Sequence, residues 1–122
     1  DYLMQQQILL GSKVRALMVS KGFPSVAAAG YQAPCVVVSY TTDPDMQSGK
    51  KFIDALEVCT RAVSLGTVDT LVSHPASMTH YGIPREERIK YGITDGLIRM
   101  SVGIENYEDL EADLAQALSK VS

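Results

Sequence analysis

Between Leu97 and Val102 the chain alternates in the two-residue period of an extended strand. Ile98, Met100 and Val102 fall on one face, and Leu97, Arg99 and Ser101 on the other. The first face is wholly apolar and calls for a layer of helices. The second holds an arginine in the middle of an apolar run. A guanidinium there needs a carboxylate or phosphate partner, because an unpaired buried cation is costly. The ordinary partner would be a local Asp or Glu in a salt bridge. Cys35 to Tyr40 is the other clear strand. It is rich in β-branched residues and apolar on both faces, which predicts a central place in a sheet with Pro34 as its first residue. Shorter strands are expected at Ser25–Ala29, Ala62–Leu65 and Leu71–His74.

Helical periodicity fills the rest. Tyr2 to Lys21 puts Leu3, Leu10, Val14, Leu17 and Met18 on one face and meets a natural stop at Gly22. Gly11 weakens its middle, and Gln5, Gln6 and Gln7 read as solvated surface. Asp43 is a suitable N-cap and Pro44 a suitable first residue for a helix running to about Arg61, with Met46, Gly49, Phe52, Ile53, Leu56 and Cys59 as its buried stripe. Pro84 to Tyr91 is a short helix closed by Gly92. Asn106 caps a last helix with Asp109 three residues on, and Leu110, Leu114, Ala117 and Leu118 face the core. This order predicts one α+β domain over residues 1–122: a two-layer α/β sandwich, with a mostly antiparallel or mixed sheet and helices packed on one face.

Composition narrows the function classes. A length of 122 residues suits one core, and a net charge of -3 gives no electrostatic case for nucleic acid. No apolar run approaches a membrane span and no signal peptide is visible, so a cytoplasmic protein is expected. The first residue is Asp1, which reads as a trimmed start. Cys35 and Cys59 read as free buried thiols, with no metal-ligand spacing around them. His74 and His80 are separated by Pro75 and do not share a helix face, so both read as structural and no metal is expected.

Ser64-Leu65-Gly66, then His74-Pro75-Ala76-Ser77-Met78-Thr79-His80, then Gly92-Ile93-Thr94-Asp95-Gly96-Leu97-Ile98-Arg99-Met100-Ser101-Val102-Gly103-Ile104-Glu105 resemble the C-terminal domain of the transsulfuration enzymes. The likeness covers about Phe52 to Leu118. These are fold-type I pyridoxal-phosphate (PLP) enzymes, so the resemblance implies the small domain of such an enzyme. It further implies that Arg99 binds the substrate's α-carboxylate, that Ser64 lies near that carboxylate, and that Thr79 supports Arg99. A bidentate fork explains arginine at that place.

Residues 7 to 52 resemble a second family. Lys13-Val14-Arg15-Ala16-Leu17, Gly22 to Ala28 and Gly30 to Thr41 are similar to the C-terminal domain of class V aminotransferases of the alanine–glyoxylate type. A seam would lie near 49–54, from a built chimera or a natural divergent sequence. PLP chemistry needs a Schiff-base lysine, an acid for the pyridine nitrogen and a phosphate cradle. No segment of these types is evident, and Lys13, Lys21, Lys50, Lys51, Lys90 and Lys120 read as surface. The isolated chain is therefore expected to be non-catalytic and without cofactor. In the parent enzymes PLP and a PLP-binding large domain would complete it. Two other readings stand beside this one: a part of an active lyase or transferase that needs that missing domain, and a stand-alone module for small carboxylates.

Overall fold

The computed structural model describes residues 1–30, 32–41 and 46–121. Helix α1 (Tyr2–Ser20) leads to strand β1 (Val36–Tyr40), helix α2 (Met46–Asp54), strands β2 (Thr60–Arg61) and β3 (Leu71–Ser73), and a 3-10 turn at Pro75–Ser77. Helix α3 (Arg85–Lys90), strand β4 (Leu97–Ser101) and helix α4 (Tyr107–Ser119) complete the order. The sheet runs β1-β4-β3-β2 and is mixed: β4 is antiparallel to both neighbours, while β2 and β3 are parallel. This is the expected two-layer α+β arrangement. Val37, Val72, Ile98, Met100 and Val102 meet α1, α2 and α4 in one buried cluster that takes residues from both sides of 49–54.

β1 is not central. It pairs with β4 on one side, and its other side carries only a bridge from Ser25 to Ser39, where a strand over Ser25–Ala29 was expected. Its apolar outer residues Val36 and Val38 are half-buried, covered by the Ser25–Ala27 loop in place of a further strand. The proposed capping pair, Asp43 and Pro44, lies outside the described residues. At the last helix Asn106 is the N-cap residue, but its side chain makes no capping bond.

α1 departs from the simple stripe at three positions. Leu3 is 62% exposed, and Gln7 is not free surface: its Nε2 donates to the Val102 carbonyl at 2.8 Å. Gly11 is buried, and a Cβ there would stand 2.4 Å from the Pro34 carbonyl oxygen. The chain entering β1 crosses the helix at that point, so a glycine that weakens the isolated helix is required by packing. Gly22 and Gly92, at φ 88° and 78°, follow α1 and α3 as the expected left-handed stops.

α2 ends at Asp54, seven residues before the helix expected from periodicity, and Arg61 belongs to β2. The cause is 54 to 56 residues away along the chain. The Asp113 carboxylate, on α4, accepts the backbone N–H groups of Glu57, Val58 and Cys59 at 2.8, 3.0 and 2.8 Å. Those amides cannot also serve a continued helix. Gln116 Nε2 adds a bond to the Ala55 carbonyl at 2.5 Å. Burial pushes the Asp113 carboxyl up, but the three N–H donors and Gln116 outweigh it and leave it below its ordinary value. Cys59 is buried as expected; burial first, then Asp113, push its thiol far above the usual range, so it is inert.

Asp113→Ala should lower stability by about 1.5–3 kcal/mol at pH 7, since charge-assisted bonds to backbone donors are lost. A depressed carboxyl gives stability that is present above its unfolded value of 3.8 and is lost as pH falls through the folded value. The gap between wild type and variant should therefore close in strong acid. Urea melts at the two pH values measure this, and with one shared core each should show a single transition. An unchanged midpoint, or two separate transitions, would contradict it.

Candidate functional site

β4 places Arg99 by register. Directly paired residues share a face, so the outer face groups Arg99 with Val38 of β1 and Ser73 of β3, and Ser101 with Val36 and Leu71. Ile98 and Met100 point the other way and are fully buried. Arg99 itself is half-buried. Its Nη2 donates to the Val63 carbonyl at 2.9 Å. The ion pairs among the described residues are Arg61–Asp54, Arg85–Asp95 and Arg88–Asp95, so none satisfies Arg99.

The segment after β2 lies along the same face. Ala62 donates its N–H to the Val72 carbonyl at 3.0 Å, and Gly66 donates to Ser101 Oγ at 3.0 Å. Ser64 is exposed between these anchors, one residue beyond the carbonyl that holds Arg99. Sequence distance between the two is thus closed by backbone contacts. Thr79 is exposed and its Oγ1 pairs with His80 Nδ1 at 2.8 Å, so the described contacts do not bring it to Arg99.

His74 is a packed core residue. Its Nε2 lies 2.6 Å from the Asp95 carbonyl oxygen, which can only accept, so this nitrogen carries the proton; Nδ1 accepts from Ser77 Oγ at 2.7 Å. Burial, aided by the Lys50 and Arg88 charges, holds the imidazole below its ordinary value, and it is neutral at pH 7. Gly49 of α2 faces the ring so closely that a Cβ would stand 2.5 Å from Nε2. Among the described residues no cluster of His, Cys, Asp or Glu could hold a metal.

A second arginine was not singled out from sequence. Arg88 is 3% exposed; its Nη2 donates to Asp95 Oδ1 at 2.6 Å and its Nη1 to the Ile93 carbonyl at 3.1 Å. The more exposed Arg85 donates from Nε to Asp95 Oδ2 at 2.5 Å. Burial raises the Asp95 carboxyl, and the two guanidinium groups more than reverse that. The structural salt bridge expected of a buried arginine therefore belongs to Arg88. The signal was the Arg85–Arg88 pair, three residues apart on one short helix, with an aspartate shortly after it.

A cavity of about 410 Å³ lies between α1 and the segment that leads into α4, lined by Leu9, Lys13, Glu105, Tyr107 and Glu108 among others, and Arg99 is not among its lining residues. Lys13 Nζ stands 5.2 Å from the Tyr107 ring centroid. No described helix is long and apolar enough to cross a membrane.

The sequence profile of the Cys/Met metabolism PLP-dependent enzyme family matches residues 16–119. L-methionine gamma-lyase of Fusobacterium nucleatum subsp. polymorphum is 49% identical over 85 residues, 70% of this chain and 22% of that protein. The structure of cystathionine gamma-lyase from Lactobacillus plantarum, complexed with L-serine, superposes with a TM-score of 0.77 at 30% identity, over 98% of this chain and 35% of that one. A structure described as an O-acetylhomoserine (thiol)-lyase from Campylobacter jejuni gives 0.81 at 26% identity, over 97% and 32%. The chain thus spans about a quarter of the length of the curated relatives it matches, 22% and 26% in two of the methionine lyases. The profile match runs unbroken across 49–54 and gives no support to a class V aminotransferase part.

Asp95→Ala should strand the buried Arg88 charge and lower stability by about 3–5 kcal/mol. Adding Arg88→Met should recover much of that loss, because the stranded charge is gone. Thermal or urea melts of the two variants decide it. A loss below about 1 kcal/mol for the single change, or losses that simply add, would show that the pair does not carry the α3–β4 junction.

Proposed function

The chain belongs to the Cys/Met metabolism PLP-dependent enzyme family, and from that premise we propose that it is the domain that holds the substrate carboxylate in a transsulfuration-type lyase or transferase. On its own it is non-catalytic. A PLP-binding large domain completes the enzyme. One observation carries the reading: Arg99 sits on the outer sheet face, half-buried, with a single main-chain carbonyl as its partner and no carboxylate partner among the described residues. A guanidinium has five donors in a planar fork, so most of its capacity remains for a ligand carboxylate. Ser64, exposed beside that carbonyl, would add a hydroxyl to the same ligand. Thr79 would reach the site only by leaving His80. That the L. plantarum neighbour is complexed with L-serine, an amino acid, supports an α-carboxylate as the ligand class.

The residues present do not fit PLP. Lys13, Lys21, Lys51, Lys90 and Lys120 are exposed, and Lys50, also expected at the surface, is half-buried on α2. Lys13 lies over Tyr107 beside Glu105 and Glu108, two carboxylates that would repel a phosphate. No step of PLP chemistry is assigned to this chain. The unbroken family match also favours one natural domain over a chimera joined at 49–54.

Arg99→Leu should leave stability within about 1 kcal/mol of wild type, because one hydrogen bond to a carbonyl is replaced by apolar cover. It should abolish binding of a small amino acid such as glycine, read by calorimetric or NMR titration. A loss of about 3–5 kcal/mol would instead mark Arg99 as a structural ion-pair partner. Mixing the wild-type chain with PLP should leave no stoichiometric lysine adduct after desalting. A site-specific absorbance band that survives would defeat the non-catalytic part of the reading.

A further inference from the structure

The route by which Arg99 reaches its carbonyl points to another residue. The order β1-β4-β3-β2 puts β3 between Arg99 and the segment that carries Val63. Ala62 is still bonded to Val72 of β3 at 3.0 Å, so the chain runs beside β3 up to that point. Strands are about 4.8 Å apart. The Val63 carbonyl that Arg99 reaches follows directly on Ala62, and the β3 residue on the rung of Arg99 and on its face is Ser73. Directly opposed residues stand about 5 Å apart at Cβ.

Ser73 is 1% exposed, and its Oγ has no hydrogen-bond partner among the described residues. A buried hydroxyl without a partner is unfavourable and calls for an explanation. Steric need alone is not one, because alanine would leave the arginine at least as much room. We propose that Ser73 is a positioning residue of the carboxylate site: its Oγ accepts from the Arg99 guanidinium when that group turns from Val63 to take a ligand carboxylate. One edge of the fork is then anchored on β3 while another faces the ligand. This rests on the carboxylate-binding reading of Arg99. The structure also supplies a control. Ser39 is equally buried and equally unpartnered, but its rung partner is Ile98, so it lies on the opposite, core face.

The test is a glycine titration of the full chain followed by the Arg99 Nε–H signal in ¹H–¹⁵N spectra. Ser73→Ala should weaken glycine binding about three- to tenfold, change the bound-state Arg99 signal, and leave the melting temperature equal or higher. Ser73→Thr, which restores a hydroxyl, should recover affinity to within about twofold, and Ser39→Ala should leave it unchanged. If Arg99→Leu abolishes binding while Ser73→Ala leaves affinity and the Arg99 signal as in wild type, Ser73 is not a positioning residue and the carboxylate reading survives. If Ser73→Ala only lowers the melting temperature, its role is structural and the proposal is wrong. If glycine fails to move the Arg99 signal of the wild type, the carboxylate reading falls and this inference falls with it.

Discussion

The register of β4 fixes both the core and the cation. Held antiparallel on both sides, by β1 and by β3, the strand has no freedom to slide. A slip of one residue would turn Ile98 and Met100 outward and drive Arg99 among Val37, Val72 and Phe52. Burying that guanidinium without a carboxylate is far more costly than the loss of any one core contact. The same alternation that builds the helix-covered face therefore presents Arg99 on the other one. The loop from Ala62 to Gly66, tied to Val72 and Ser101, then sets Ser64 beside it.

Two carboxylates shape the chain around this strand. Asp113 collects three consecutive backbone donors and turns the chain out of α2 toward β2. Asp95 receives Arg85 and Arg88 and fastens α3 to the entrance of β4, while its own carbonyl fixes His74. Both are acidic residues with lowered pKa values, yet neither faces the outer sheet surface as a candidate ligand group. Perturbed titration here marks architecture: the two groups are spent on backbone amides and on a buried cation.

What could be read from the residues divides along these lines. The β4 faces, the caps at Gly22 and Gly92 and the buried row of α4 follow from local periodicity, and the structure keeps them. The end of α2 was not readable, because its cause sits on α4, beyond any local window. β1 misled because an edge strand covered by a loop is as apolar as a central one. Gly11 looked like a defect until the Pro34 backbone was placed against it. At the site, Arg99 stood out as a cation in an apolar run. The same rule applied to Arg88 would have found the buried pair, but helix polarity hid it. Ser73 carried no signal at all, since a serine ending a short strand is unremarked until its rung partner is known.

On this reading Arg99 is a ligand-binding group held in reserve and not a structural ion. The most direct test is a high-resolution crystal structure of this chain soaked with a small α-amino acid. The amino acid's carboxylate should make bidentate contact with the Arg99 guanidinium, beside Ser64, with the bond to the Val63 carbonyl lengthened or broken. A structure in which Arg99 is paired with a carboxylate of the chain itself, and the amino acid binds elsewhere or not at all, would contradict it.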